Sequence, residues 1–149
     1  MYGSLEGVLA IAPAVGEIDE NSTPTSAQVD EWLNEGSALI DAALSGAGYV
    51  VPVSRTAAIY PAFRSLENLY ATAYTLRARG LDMVQGQQES RSETYLKDFW
   101  STLAGLVKMD LTSQGVPVRT SPSATRRGVR SMQLRRVDGY SKDTLGVTE

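Results

Sequence analysis

Between Thr25 and Gly48 the apolar side chains return every three or four residues, and that period limits what the chain can build. Val29, Trp32, Leu33, Leu39, Ile40, Ala43 and Leu44 fall on one stripe of a helix. Asp30, Glu31, Glu35 and Asp41 mark the wetter side. A helix with one apolar face must bury that face against something, so the pattern already implies further helices or a sheet. Thr25 and Gln28 have the spacing of a capping box, in which hydroxyl and amide side chains satisfy each other's backbone N–H groups. Gly36 falls on or near the stripe, where a missing Cβ would let another backbone approach closely. Gly46 and Gly48 supply the stop, because glycine tolerates the left-handed cap.

Two more segments carry the same period. Phe63, Leu66, Leu69, Tyr70, Ala73 and Leu76 predict a helix over 61–79, opened by Pro61 and closed by Arg77, Arg79 and Gly80. A helical turn at Thr56–Tyr60 can precede it. Tyr95, Leu96, Phe99, Trp100, Leu103, Leu106, Val107 and Leu111 predict a third, ended by "SQGVP". Ser4 can cap a short N-terminal helix in which Leu5, Val8 and Leu9 share a face; Gly7 works against it and Pro13 ends it. "GEIDENSTP" is polar and turn-rich, hence a surface loop. "YVVPVS" holds β-formers broken by Pro52 and reads as an extended linker packed on the core. Trp32, Phe63, Phe99 and Trp100 are expected in the core. The expected fold is all-α: an antiparallel bundle of three long helices plus the short one over 1–118, followed by an extended C-terminal arm over 119–149.

What the chain lacks narrows its chemistry. Its 149 residues include no cysteine and no histidine. Thiolate nucleophiles, disulfides and the common zinc, iron and copper sites are therefore out of reach. The side chain that most readily moves a proton near neutral pH is missing as well. Carboxylate pairs at Glu31–Glu35 and Glu89–Glu93 read as solvated helix faces, and no Gly-rich phosphate loop accompanies them. No enzyme activity, cofactor or metal is expected. Asp41, flanked by the apolar stripe, is a candidate for partial burial against an arginine. No run approaches the length of a membrane span, and no basic residue precedes the apolar N-terminal patch as a secretory signal would require.

Charge is divided unevenly. Residues 1–118 hold 7 basic and 14 acidic side chains; residues 119–149 hold 7 basic and 3 acidic. "SATRRGVRSMQLRRVDGYS" carries five of those arginines. An acidic body with a basic arm suggests that the arm meets something negative, either nucleic acid or another acidic polypeptide surface. Read as a strand, the arm places Met132 and Leu134 on one face and Val129, Gln133 and Val137 on the other. An isolated strand is not stable in water. The arm is therefore either a solvated tail or a segment that adds to a partner, where backbone hydrogen bonds and side-chain pockets would complete it.

The order of these parts resembles the head–tail connector (adaptor, or head-completion) proteins of long-tailed bacteriophages. The resemblance rests on "YGSLEGVLAIAP", "TPTSAQVDEWLNEGSALIDAALSGAGYVVPV", "LENLYATAYTLRARG" and, more loosely, "RRVDGYS". It covers about residues 2–80 and part of the tail; the third helix carries no matching signature. It implies a structural protein of the virion neck that forms a ring, typically dodecameric, between the portal and the next neck or tail protein. Double-stranded DNA would pass through its lumen. It further implies that the C-terminal arm docks on the portal or a neighbouring subunit. Val129, Met132, Leu134, Val137 and Tyr140 would then supply apolar contacts, and Arg126, Arg127, Arg130, Arg135 and Arg136 would grip carboxylates. The competing expectation is a small helical nucleic-acid-binding packaging or regulatory protein, although no helix shows the basic face that reads a groove.

Overall fold

The computed structural model describes residues 1–83 and 90–120. The described part is helical: α1 (Leu5–Ile11), α2 (Ser26–Gly46), α3 (Tyr60–Ala78) and α4 (Arg91–Lys108), with two short 3-10 turns at Pro13–Val15 and Thr112–Gln114. One compact unit spans Met1–Arg119. The expected all-α bundle is therefore present, and the expected C-terminal arm lies outside the described residues apart from its first two.

Local sequence explains where the helices start. Thr25 accepts the Gln28 amide at 3.2 Å and the Gln28 side chain accepts the Thr25 amide at 3.0 Å, the reciprocal capping box. Ser4 accepts the Gly7 amide and Ser90 the Glu93 amide, so α1 and α4 are capped too. No side chain caps α3; Pro61 occupies its first turn, where an amide donor is not needed. Pro13 falls immediately after α1 and begins a 3-10 turn.

The order of contacts makes the long helices antiparallel. Trp32 stacks on Tyr74, while Gly36, one turn later in α2, sits under Glu67 and Tyr70, earlier in α3. Tyr70 packs on Phe99, and Arg77 donates to Ser92. α3 thus lies between α2 and α4, with α1 covering a further side. Two apolar clusters result. Ile40, Leu44, Phe63, Leu66, Tyr70, Phe99 and Leu103 fill the space among α2, α3 and α4. Val8, Val15, Val29, Leu33, Ala71 and Leu76 fill that among α1, α2 and α3. Each fully buried large apolar side chain stabilises the fold by about 1.5–3 kcal/mol relative to exposure.

Several expectations need correction. Trp100 is not core: it is 50 % exposed and only leans edge-on against buried Phe99. It is one position round α4 from the buried stripe. Leu111 is fully buried but lies beyond the end of α4, where the chain turns back. Ile18, inside the loop expected at the surface, is buried and closes the end of the second cluster. Gly36 receives not another backbone but the side chains of Tyr70 and Glu67, 3.2 and 3.4 Å from where its Cβ would be. Gly7, read as a weakness in α1, is what lets α1 sit on α3. A Cβ there would fall well inside contact distance of the buried Asn68 amide, as would one at Gly3.

The Tyr49–Val53 linker is packed on the core as expected, with Tyr49 and Val53 buried, but it bends at Val51 and Pro52 and is not extended throughout. It also receives the returning chain. Tyr49 forms an isolated antiparallel bridge with Val118, the Val50 amide donates to the Pro117 carbonyl at 2.8 Å, and the Arg119 amide donates to the Gly48 carbonyl at 2.7 Å. The Tyr49 hydroxyl donates to the Met109 carbonyl and accepts the Leu111 amide, fixing the turn after α4.

Candidate interaction site

Three features of the body bear on function: a polar latch under the N-terminal segment, the anchorage of residue 119, and two concave surfaces of opposite character.

The latch is built on α3. Glu67 is fully buried, and its Oε2 accepts the Tyr2 amide at 2.5 Å. Asn68 Oδ1 accepts the Ser4 amide at 3.0 Å. The Tyr2 hydroxyl donates to Asp41 and accepts the Val53 amide at 3.0 Å. Asp41 is thus partly buried, and among the described residues its partner is a phenol and not the arginine considered as a candidate from sequence. A phenol next to a carboxylate in a dry setting holds its proton: burial, then the Asp41 hydrogen bond, push the Tyr2 pKa well up. Burial likewise raises the Glu67 pKa, opposed by the Tyr2 and Gly3 amides. Among the described residues Glu67 Oε1 has no hydrogen-bond donor. One strap of backbone, residues 2–4, is therefore tied to α2, α3 and the linker by four hydrogen bonds. Sequence reading missed Glu67 and Asn68. The signal was available for Glu67, which sits four residues after Phe63 and three before Tyr70, on the apolar stripe itself.

The two concave surfaces lie apart. One, about 340 Å³, is a shallow groove over Glu35, Ala38, Leu39 and Tyr70. The Tyr70 hydroxyl is 3.4 Å from both Glu35 Oε2 and the Tyr74 hydroxyl, and burial together with these neighbours raises its pKa. The other, about 350 Å³, is bounded by Tyr2, Ser4, Arg55, Tyr60 and Arg64 at the N-terminal end of α3. Both arginines are exposed. Among the described residues neither donates a hydrogen bond, whereas Arg77 and Arg79, at the other end of α3, are tied to Ser92 and to the Glu17 carbonyl.

At that other end the chain is acidic. Glu17, Asp19, Glu20, Asp30 and Glu31 are all exposed there. Asp82 is held below the usual carboxylate range: slight burial is outweighed by hydrogen bonds from the Ser92 hydroxyl and amide and from Ser90, with Arg77 adding to the effect. Among the described residues no group of three or more acidic side chains is arranged to hold a metal ion, and no helix is long and apolar enough to cross a membrane.

The residues expected to bind a partner, Arg126, Arg127, Val129, Arg130, Met132, Leu134, Arg135, Arg136, Val137 and Tyr140, all lie outside the described residues. The structure gives only their point of departure, beside Gly48 at the C-terminal end of α2. No protein-family model, curated protein or solved structure matches the chain.

Proposed function

We propose that this chain is a structural component of the neck of a long-tailed bacteriophage, an adaptor that forms a ring between portal and tail. The reading is supported by one observation above all. A helical body with excess negative charge ends at an anchored position, Arg119, and a segment rich in arginine and β-branched or apolar residues continues from it. In this reading the body packs side by side around the DNA channel. The segment docks on the portal or an adjacent subunit through Val129, Met132, Leu134, Val137 and Tyr140, with the five arginines pairing to carboxylates. The protein performs no chemistry; an acidic wall repels phosphate and lets DNA slide. The resemblance in the order of sequence motifs supplies the particular assembly.

The test uses the portal of the parent virus as bait. Full-length chain is expected to bind it, and a chain lacking residues 121–149 is expected to stay folded and lose most of that binding. Stopping at 120 keeps the Tyr49–Val118 bridge, so the body is not disturbed. Undiminished portal binding by the shortened chain sinks the docking role. Tight duplex binding that weakens steeply with salt, with no portal binding, favours a nucleic-acid-binding packaging or regulatory protein instead.

A further inference from the structure

The two ends of α3 carry different exposed charges, although Arg77 and Arg79 also stand at the end where carboxylates gather. Its N-terminal end carries the Arg55–Arg64 cleft; its C-terminal end carries the turn with Glu17, Asp19 and Glu20, which Arg79 fastens to α3 through the Glu17 carbonyl. Arg64 and Arg79 are fifteen helical residues apart, roughly 20 Å at 1.5 Å per residue. Both features belong to one compact unit, so the cleft cannot reach its own acidic turn. It can reach the turn of a second copy.

We propose that copies of this chain associate head to tail, the Arg55–Arg64 cleft of one receiving the carboxylates of the 17–20 turn of the next. This deepens the ring reading above and rests on it only for the expectation that the chain self-associates. The cleft chemistry fits a carboxylate. Arginine presents a planar fork of donors that matches two carboxylate oxygens, and two such forks face one concavity. The Tyr60 ring, edge-on to Tyr2, forms an apolar wall beside them. The 17–20 turn is held in shape by Asp19 and Ser22, with the Asn21 amide donating to Asp19 Oδ1 at 2.8 Å and the Asp19 amide to the Ser22 hydroxyl at 3.0 Å, which leaves the exposed Glu17 and Glu20 carboxylates to engage a neighbour. A contact between two different surfaces of identical copies is heterologous, so it propagates and closes into a ring when the rotation between copies allows.

Charge reversal with rescue tests this on full-length protein. Arg55→Glu/Arg64→Glu (the reversed cleft) and Glu17→Lys/Glu20→Lys (the reversed turn, with Asp19 kept because it shapes the turn) alter only exposed side chains, and circular dichroism should report unchanged helix content for both. By sedimentation, wild type is expected to self-associate with rising concentration and to do so less in high salt. Each variant alone is expected to lose at least tenfold in association constant, since like charges then face each other. An equimolar mixture of the two is expected to recover, because each reversed surface finds its complement on the other variant. Self-association of either variant at the wild-type level, failure of the mixture to recover, or a wild type that stays monomeric up to millimolar concentration overturns the proposal. Portal binding is read separately, so the ring reading can stand when this interface does not.

Discussion

α3 and α4 are of similar length and both were visible as apolar stripes, yet they do different work. α4 buries one face: Phe99 and Leu103 are inside, and Trp100, Gly105 and Lys97 are outside. α3 is enclosed by α1, α2 and α4, and its polar residues go inside with the apolar ones. Glu67, Asn68, Thr72 and Thr75 are all buried. The two threonines hide their hydroxyls by donating to backbone carbonyls four residues earlier, at 2.7 and 2.8 Å. Glu67 and Asn68 instead use their buried acceptors to fasten a second segment of chain. A peripheral helix is thus specified mainly by what it hides, with one buried polar tie at Ser92 in its first turn, and a central one also by what its several polar groups hold.

That contrast can be broken by substitution. The largest effect is expected at Phe63 on α3: Phe63→Ala should cost about 3–5 kcal/mol in chemical denaturation, from lost burial plus the cavity left behind. A cost below about 1 kcal/mol would mean that the first cluster is not the stabilising core. Next comes Gly7→Ala, which drives a methyl into Asn68; about 1–3 kcal/mol is expected, the range for overpacking. Its counterpart, Gly105→Ala on α4, meets nothing within 4 Å and should stabilise by about 0.5–1 kcal/mol through helix propensity alone. Stabilisation by Gly7→Ala together with destabilisation by Gly105→Ala would invert the comparison.

Glu67 gives a pH test. Its folded pKa lies above the unfolded value, so the folded state holds the proton more tightly. Its contribution is fully present below the ordinary glutamate pKa and is lost as pH rises through the raised one. The difference in stability between wild type and Glu67→Gln should therefore move against wild type from acid toward neutral pH; a difference that stays constant across that window shows that the buried carboxylate does not titrate with folding. The smallest effect is expected at Trp100→Ala, within about 0.5 kcal/mol of wild type by thermal unfolding, as for other surface positions.

How much was legible follows from the same contrast. Positions of the helices, their caps and most of the core were written in periodicity and in Ser, Thr, Pro and Gly punctuation, which are local effects. Trp100 was misplaced because a stripe read from periodicity alone has no sharp edge; which of Phe99 and Trp100 faces inward depends on where α3 lies. Gly7 looked like a defect because its reason, Asn68, is sixty-one positions away in the chain. The Glu67 latch was missed for a related cause: its place on the apolar stripe was visible, but the amide that donates to it, Tyr2, is sixty-five positions away in the chain. The sequence-predicted docking residues lie past Thr120, so their roles rest on composition and resemblance; the Arg55–Arg64 cleft was not anticipated, as its two arginines stand nine positions apart and only the turn into α3 brings them together.

The short pairing of Tyr49 with Val118 has a geometric consequence. By clamping residues 117–119 to the α2–α3 connection, it gives the chain that continues from Arg119 a fixed origin on every molecule. In any closed assembly of identical copies, those origins are related by the same rotation that relates the bodies. Thirty residues of arginine-rich chain would then start from equivalent stations around the circumference, and a receptor below need present only one repeating landing place.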